Sequence, residues 1–435
     1  MDKEQIMITI DDKTYCKYFW SHVALFNGKT ATPCCRYDHN TKEGSTVTRD
    51  KPFTTFTETI HSPEWEELRR KSVEGVNEAG CWKCYEEEER GNWSLRNTAN
   101  AMDFNKPLEL KLTYLEINLG NFCNLACNIC CSDNSNLWYE DDKDLKSVHQ
   151  YRRGSYTPDH QEGISLNVED YEHVRLIKFV GGEPMIHPKF ITLLDFLIEH
   201  NLQSKIRIQV FTNASWVPKD KIKDRLKQFD EVTISLSIDG VGQVNDYSRW
   251  PSKWSIVHES ARMWLQMSKE NSNITVRWEP TLSIYNANHV PEMVSWWVNL
   301  SMEVLEKPFH DAVYNDEMRD INIIVNNVMW PTYMTPNLLP NKDTELKRLN
   351  RFVEKMYHLH ADENYDRSKH MLKRLDQLIG KVSKEIQPAI DEEQLKTFIH
   401  FSYDLDKRRN NDLPKQLPKL WSQIKSYGEY STLKT

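Results

Sequence analysis

The sequence predicts an α/β protein built around an open, partial barrel of six parallel strands. Between about residue 112 and residue 331, six short β-type runs alternate with helix-type runs. Strand, helix, strand at that rhythm marks parallel crossover units. The runs are also amphipathic, whereas a parallel sheet covered by helices on both sides should be apolar on both faces. Finally, a closed eight-strand barrel fills its inside with Val, Ile and Leu. Six strands with a polar inner face fit instead a barrel left open around a wet cavity.

Each element supports this in turn. In the first run, "LTYLEINL", Leu115, Ile117 and Leu119 oppose Glu116 and Asn118. The second, "RLIKFV", follows the alternation poorly and has no assigned orientation. "PKFITLLDFLIEH" is a helix with Phe190, Leu193, Leu194 and Leu197 on one face. The third run, "IRIQVFTN", carries Arg207, Gln209 and Asn213 on its polar side. In the fourth, "EVTISLSID", Val232, Ile234, Leu236 and Ile238 oppose Thr233, Ser235, Ser237 and Asp239. "IVHESARMWLQMSKE" is a second helix; "ITVRWEP" sets Ile274, Val276 and Trp278 against Thr275, Arg277 and Glu279; "INIIVNNV" is the sixth strand. Alternation alone also fits an antiparallel sheet with one solvated face, but the intervening helices favour crossovers.

The chain has 435 residues, 28% of them charged, with a net charge of −8. That balance, with no long basic run, argues against a large nucleic-acid partner and leaves room only for a local basic groove. The start, "MDKEQIMITIDDKTYC", has neither the positive end nor the apolar run of a signal peptide, and no apolar stretch is long enough to span a membrane. The expected setting is cytoplasmic and reducing, where clustered cysteines hold metal or do redox chemistry more often than they pair. Three regions are expected: a Cys-rich module over 1–105, the barrel over 106–335, and a helical extension over 336–435.

All nine cysteines fall within the first 131 residues. The densest stretch is "NLGNFCNLACNICC", where Cys123, Cys127 and Cys130 have the spacing C-x3-C-x2-C and Cys131 follows directly. An ordinary [4Fe–4S] cube takes four thiolates and a structural zinc four ligands, so three close cysteines leave one metal corner open. The motif follows the first strand, at the carboxyl end where barrel enzymes place their chemistry. Further motifs follow later strands in order. "FVGGEP" offers Gly181 and Gly182 for close backbone approach to a ligand, Glu183 as an acceptor for an ammonium group, and Pro184 to fix the exit. "FTNAS" brings Thr212 and Asn213, and "SLSIDG" brings Ser235, Ser237 and Asp239, suited to a ribose or amino-acid moiety.

The set "CNLACNIC", "GGEP", "TNA" and "SID" resembles the radical S-adenosylmethionine (SAM) superfamily over roughly residues 112 to 331. The resemblance implies a [4Fe–4S] cluster on Cys123, Cys127 and Cys130, with SAM chelating the fourth iron. It gives Glu183 the SAM amino group and Ser237 or Asp239 the ribose. It implies reductive cleavage of SAM to a 5′-deoxyadenosyl radical that takes hydrogen from a peptide, protein or small-metabolite substrate, with an external electron donor. Ile129 stands where the family often has an aromatic residue and can still pack on adenine; Cys131 is read as outside the cluster. Two alternatives remain open: a nucleotide-modifying enzyme of the same kind, and an iron–sulfur electron carrier or scaffold without SAM chemistry.

The other cysteines form a second group. Cys16, Gly28 and Cys34 give C-x11-G-x5-C, Cys35 adjoins Cys34, and "CWKC" supplies Cys81 and Cys84. An auxiliary iron–sulfur cluster, a structural zinc and unliganded thiols all fit. The pattern, with the following "EEEERGNWSLR", resembles the twitch (half-SPASM) modules of radical SAM enzymes, although those often lie after the barrel. That resemblance implies an auxiliary cluster on Cys16, Cys34, Cys81 and Cys84, Cys34 fitting the spacing slightly better than Cys35. The charged C-terminal region is expected to be a solvated helical cap, or a lid bringing Arg408 and Arg409 near substrate.

Overall fold

A computed structural model describes residues 13–26, 30–42, 44–48, 53–91, 93–145, 164–307, 314–315, 320–321, 323–360, 365–386 and 389–431. Gly28 of the first cysteine pattern lies outside them. The fold is α/β, with a mostly parallel sheet of seven strands: β1 (His22–Phe26), β2 (Thr30–Thr32), β3 (Tyr114–Asn118), β4 (Leu176–Val180), β5 (Arg207–Thr212), β6 (Glu231–Leu236) and β7 (Ile274–Trp278). Their order across the sheet is β2-β1-β3-β4-β5-β6-β7. Strands β3 to β7 are the first five runs expected from the sequence.

The chain forms two compact units. One comprises Met1–Phe122, Thr157–Val210 and Asp220–Val232; the other Cys123–Tyr156, Phe211–Lys219 and Thr233–Thr435. In the first, the N-terminal segment is not set apart from the strands. β1 pairs in parallel with β3, His22 opposite Tyr114 and Ala24 opposite Glu116, while β2 pairs antiparallel on the outer side of β1. The apolar "VALF" of β1 and the wholly buried helix Tyr18–Ser21 before it give this edge a core of its own.

Register also orients the run that its sequence left open. Glu116, Lys178 and Gln209 stand side by side on β3, β4 and β5. Lys178 Nζ lies 3.2 Å from Glu116 Oε2, so Lys178 belongs to the polar face. Ile177 and Phe179 then take the other side and are fully buried, with Phe179 edge-on to Phe190 at 4.9 Å. Helix Pro188–Glu199 buries Phe190, Leu193, Leu194 and Leu197, the expected face. Each contributes roughly 1.5–3 kcal/mol relative to exposure.

In the second unit, helix Trp254–Glu270 buries Val257, Ala261, Trp264 and Leu265. The sixth expected strand is present in interrupted form. Ile324, Asn326 and Val328 donate backbone bonds to Trp278, Pro280 and Leu282 in a parallel ladder. Pro280 has no N–H to return, and only Asn326–Asn327 against Thr281–Leu282 remains regular.

The inner face is polar, but many of its side chains are buried and satisfy one another. Glu116, Asn118, Thr233, Ser235 and Glu279 are all buried, and Ser235 Oγ donates to Glu279 Oε1 at 2.7 Å. Buried polar groups persist when they are paired in this way. The C-terminal region is helical as expected, over Lys342–His360, Tyr365–Ile386, Glu392–Arg409, Leu413–Gln416 and Pro418–Ile424. Among the described residues no helix is long and apolar enough to cross a membrane.

Candidate functional site

The N-terminal thiols all belong to the first unit. Cys16 precedes helix Tyr18–Ser21, Cys34 follows β2, Cys81 ends the turn Ala79–Cys81, and Cys84 lies in the first turn of helix Trp82–Glu89. Burial pushes Cys16 up to about 12 and Cys34 and Cys81 well above the ordinary thiol range, and each also feels the charge of Cys84. Cys34 and Cys81 feel Cys16, and Cys81 feels Cys34. Arg36, held by two bonds to Glu87, adds a positive charge beside Cys84. Cys35 is exposed and lies within electrostatic reach of Cys34 and of Glu116. Cys16, Cys34, Cys81 and Cys84 thus lie within electrostatic reach of one another, with Cys35 near both Cys34 and the Glu116–Lys178 pair.

The "GGEP" turn belongs to the same unit. Gly181 has φ +116, and a Cβ there would sit 2.6 Å from Asn118 Oδ1 and from the Gly120 carbonyl. At Gly182 a Cβ would meet the Phe122 carbonyl oxygen at 2.4 Å. Both glycines thus let the turn approach the chain's own 118–122 segment closely. Gly182 N donates to Gly120 O and Glu183 N to Phe122 O, both at 2.9 Å. This fastens the turn to the residues just ahead of Cys123. Glu183 is fully buried, and Pro184 opens a single 3-10 turn, Pro184–Ile186.

The C-x3-C-x2-C loop lies in the second unit. Its asparagines hold it by side-chain bonds rather than a regular ladder. Cys123 N donates to Asn136 Oδ1 at 2.9 Å, and Asn213 Nδ2 donates to Asn124 Oδ1 at 2.9 Å. Backbone bonds of 2.7 Å run from Ala126 N to Trp250 O and from Asn128 N to Ser248 O. Two N–H groups face the Cys123 sulfur, Leu125 N at 3.4 Å and Asn213 Nδ2 at 3.8 Å. The thiols of Cys123, Cys127 and Cys130 are half-buried. Burial pushes Cys130 well up, as do Cys127, Cys131 and Cys123 within its electrostatic reach. Burial also raises Cys127, and Arg249, 4.0 Å from its sulfur, opposes that rise. Among the described residues no three His, Cys, Asp or Glu side chains are gathered at ligating distance. The donor set still fits a cluster: three thiols on one short loop, N–H groups aimed at sulfur, and guanidinium charge to offset thiolate.

The remaining pocket residues divide by their partners. Asp239 is buried and engaged at both oxygens, by Arg249 Nε at 2.7 Å and Thr281 N at 2.8 Å. Ser235 is committed to Glu279. Ser237 is half-buried, its N–H bonded to Thr212 O at 2.8 Å. Sequence reasoning missed Arg249, and no spacing around "SRW" signals it. It also missed the true place of Arg409, which donates to Ala126 O and Asn128 Oδ1 on either side of Cys127.

Comparison with known proteins adds a match over part of the chain. Residues 117–276 match the model of the Radical SAM superfamily. That span holds the three-cysteine loop, "GGEP", "TNA" and "SID". The chain is also 27% identical over 139 residues to an uncharacterized protein of Methanocaldococcus jannaschii, covering 32% of this chain and 42% of that one. Among solved structures it is similar to native anSMEcpe with bound AdoMet, at 16% identity and TM-score 0.37, covering 57% of this chain and 60% of that chain. It is likewise similar to Streptococcus suis SuiB bound to S-adenosylmethionine, at 16% identity and TM-score 0.34, covering 68% and 51%. The alignments therefore span less than two thirds of each of these relatives.

Proposed function

We propose that this protein is a radical SAM enzyme. The observation that carries the reading is a single loop presenting three half-buried thiols, Cys123, Cys127 and Cys130, inside the segment that matches the Radical SAM superfamily. These residues would hold a [4Fe–4S] cluster with one corner open for SAM. The cluster, once bound, supplies the electron that cleaves SAM to a 5′-deoxyadenosyl radical. The chain's own part is to bind and orient. Leu125 N and Asn213 Nδ2 donate toward the Cys123 sulfur, and Arg249 sets positive charge beside Cys127. Glu183 is assigned the SAM ammonium. Asp239 is engaged by Arg249 and Thr281, so the ribose falls to Ser237. Cys16, Cys34, Cys81 and Cys84 are assigned an auxiliary iron–sulfur cluster, supported by their mutual electrostatic reach.

The substrate class assigned is a peptide, protein or small metabolite, with an external reductant, in the cytoplasm. Titration with SAM tests the pocket. Glu183→Ala should keep its iron yet bind SAM roughly tenfold to a hundredfold more weakly, the worth of a charge-assisted hydrogen bond. Undiminished SAM affinity would reduce "GGEP" to a turn.

A further inference from the structure

Arg409 is a heavily bonded cation of the second unit, and no motif in the sequence points to it. It is the last residue of helix Glu392–Arg409, closed by Asn410 in the left-handed conformation at φ 54. It is only 6% exposed, and the solvated cap expected for this region does not describe it. Nη1 donates to the Ala126 carbonyl at 2.6 Å and to Asn128 Oδ1 at 2.7 Å. Nε and Nη2 donate to Asp141 Oδ2 at 3.1 and 2.9 Å. The guanidinium plane lies over Trp138 at 4.2 Å and Trp250 at 4.9 Å. Planar, multidentate, stacked binding of this kind is a task for arginine that lysine cannot reproduce.

These contacts bracket one short stretch. Ala126 and Asn128 are the immediate neighbours of Cys127. Their backbone N–H groups are held by Trp250 O and Ser248 O. Arg409 takes the Ala126 carbonyl and the Asn128 side chain. Trp138, under the guanidinium, donates its indole N–H to the Cys127 carbonyl at 2.9 Å. The neighbouring Arg408 behaves differently. It lies on the surface and pairs with Asp141 and Asp144 without touching the loop.

We propose that Arg409 is a positioning residue for the three-cysteine loop: the C-terminal helix clamps the backbone around Cys127 and presets it before any metal arrives. The cluster assignment of that loop rests on the function proposed above, while the clamp itself does not. The C-terminal region, expected to be a cap or lid, thus becomes part of the cofactor site's scaffold.

The test is hydrogen exchange on the metal-free full chain, followed by anaerobic iron reconstitution. In the wild type, the Ala126 and Asn128 amides and the last turn of helix 392–409 should open together, as one cooperative unit. Arg409→Ala and Arg409→Lys should both speed exchange across 123–131, on the order of tenfold or more, and lower retained iron. Arg408→Ala should change the exchange little. The lysine variant keeps the charge and serves if the alanine variant does not fold. The proposal is overturned if folded Arg409→Lys exchanges this segment at the wild-type rate. It is equally overturned if the wild-type loop opens while the helix end stays protected. A wild-type chain that shows the clamp but takes up no iron would sink the proposed function and leave this inference standing.

Discussion

At the scale of single residues, the glycines of "GGEP" are needed for contact with the chain itself. A Cβ at Gly182 would meet only backbone: Phe122 O at 2.4 Å, Phe122 C at 2.7 Å and Asn121 C at 2.9 Å. None of these atoms can rotate away, so the 118–122 segment would have to move. Gly182→Ala should therefore lower stability by about 1–3 kcal/mol, the usual cost of overpacking, read as a lower urea midpoint. An unchanged midpoint would mean the turn and the segment separate at little cost. The sequence already marked these two glycines for close approach. What it could not say was to what, because the partner is a backbone segment some sixty residues away whose position depends on β3 pairing with β4.

At the scale of elements, helix Glu392–Arg409 is anchored near its end by Asp406 as well as by Arg409. The Asp406 carboxylate accepts from Tyr247 Oη at 3.1 Å, Leu413 N at 2.7 Å and the Tyr430 hydroxyl. Burial outweighs these bonds and raises Asp406 from 3.8 to about 6. A carboxyl raised on folding favours the folded state while protonated, and that advantage is lost as pH rises through the folded value. This residue's contribution is thus fully present below about pH 4 and gone above about pH 6, a change on the order of 3 kcal/mol. Asp406→Asn removes the dependence. The stability difference, wild type minus variant, should fall between pH 4 and pH 7, and a difference flat with pH would contradict it.

The N-terminal elements carry a prediction of their own. Cys16, Cys34, Cys81 and Cys84 come from three separate segments of one unit. Wild-type protein should reconstitute with about eight irons, four per cluster, and Cys81→Ala or Cys84→Ala with about four. About four irons and one zinc in the wild type would instead make the N-terminal site structural. Here the sequence was partly legible. The cysteine spacing separated Cys34 from Cys35 only weakly, and the fold keeps these adjacent thiols within electrostatic reach of each other, Cys35 lying near Glu116 as well.

At the scale of the whole molecule, local patterns were readable and long-range pairings were not. Periodicity located β3 to β7 and the buried face of helix Pro188–Glu199 because those signals are carried by neighbouring residues. The parallel pairing of β1 with β3 is non-local, so "HVALF" gave no sign that it would extend the sheet. Lys178 could not be oriented until Glu116 was beside it. Arg409 reaches Ala126 across 283 positions, and no spacing rule spans that distance. The central claim is that the 123–130 loop holds the cluster that cleaves SAM. The most direct measurement is formation of 5′-deoxyadenosine by the anaerobically reconstituted, reduced protein, compared with its Cys127→Ala variant. The account predicts 5′-deoxyadenosine from the wild type and none from Cys127→Ala. Equal formation by both, or none from an iron-loaded wild type, would contradict it.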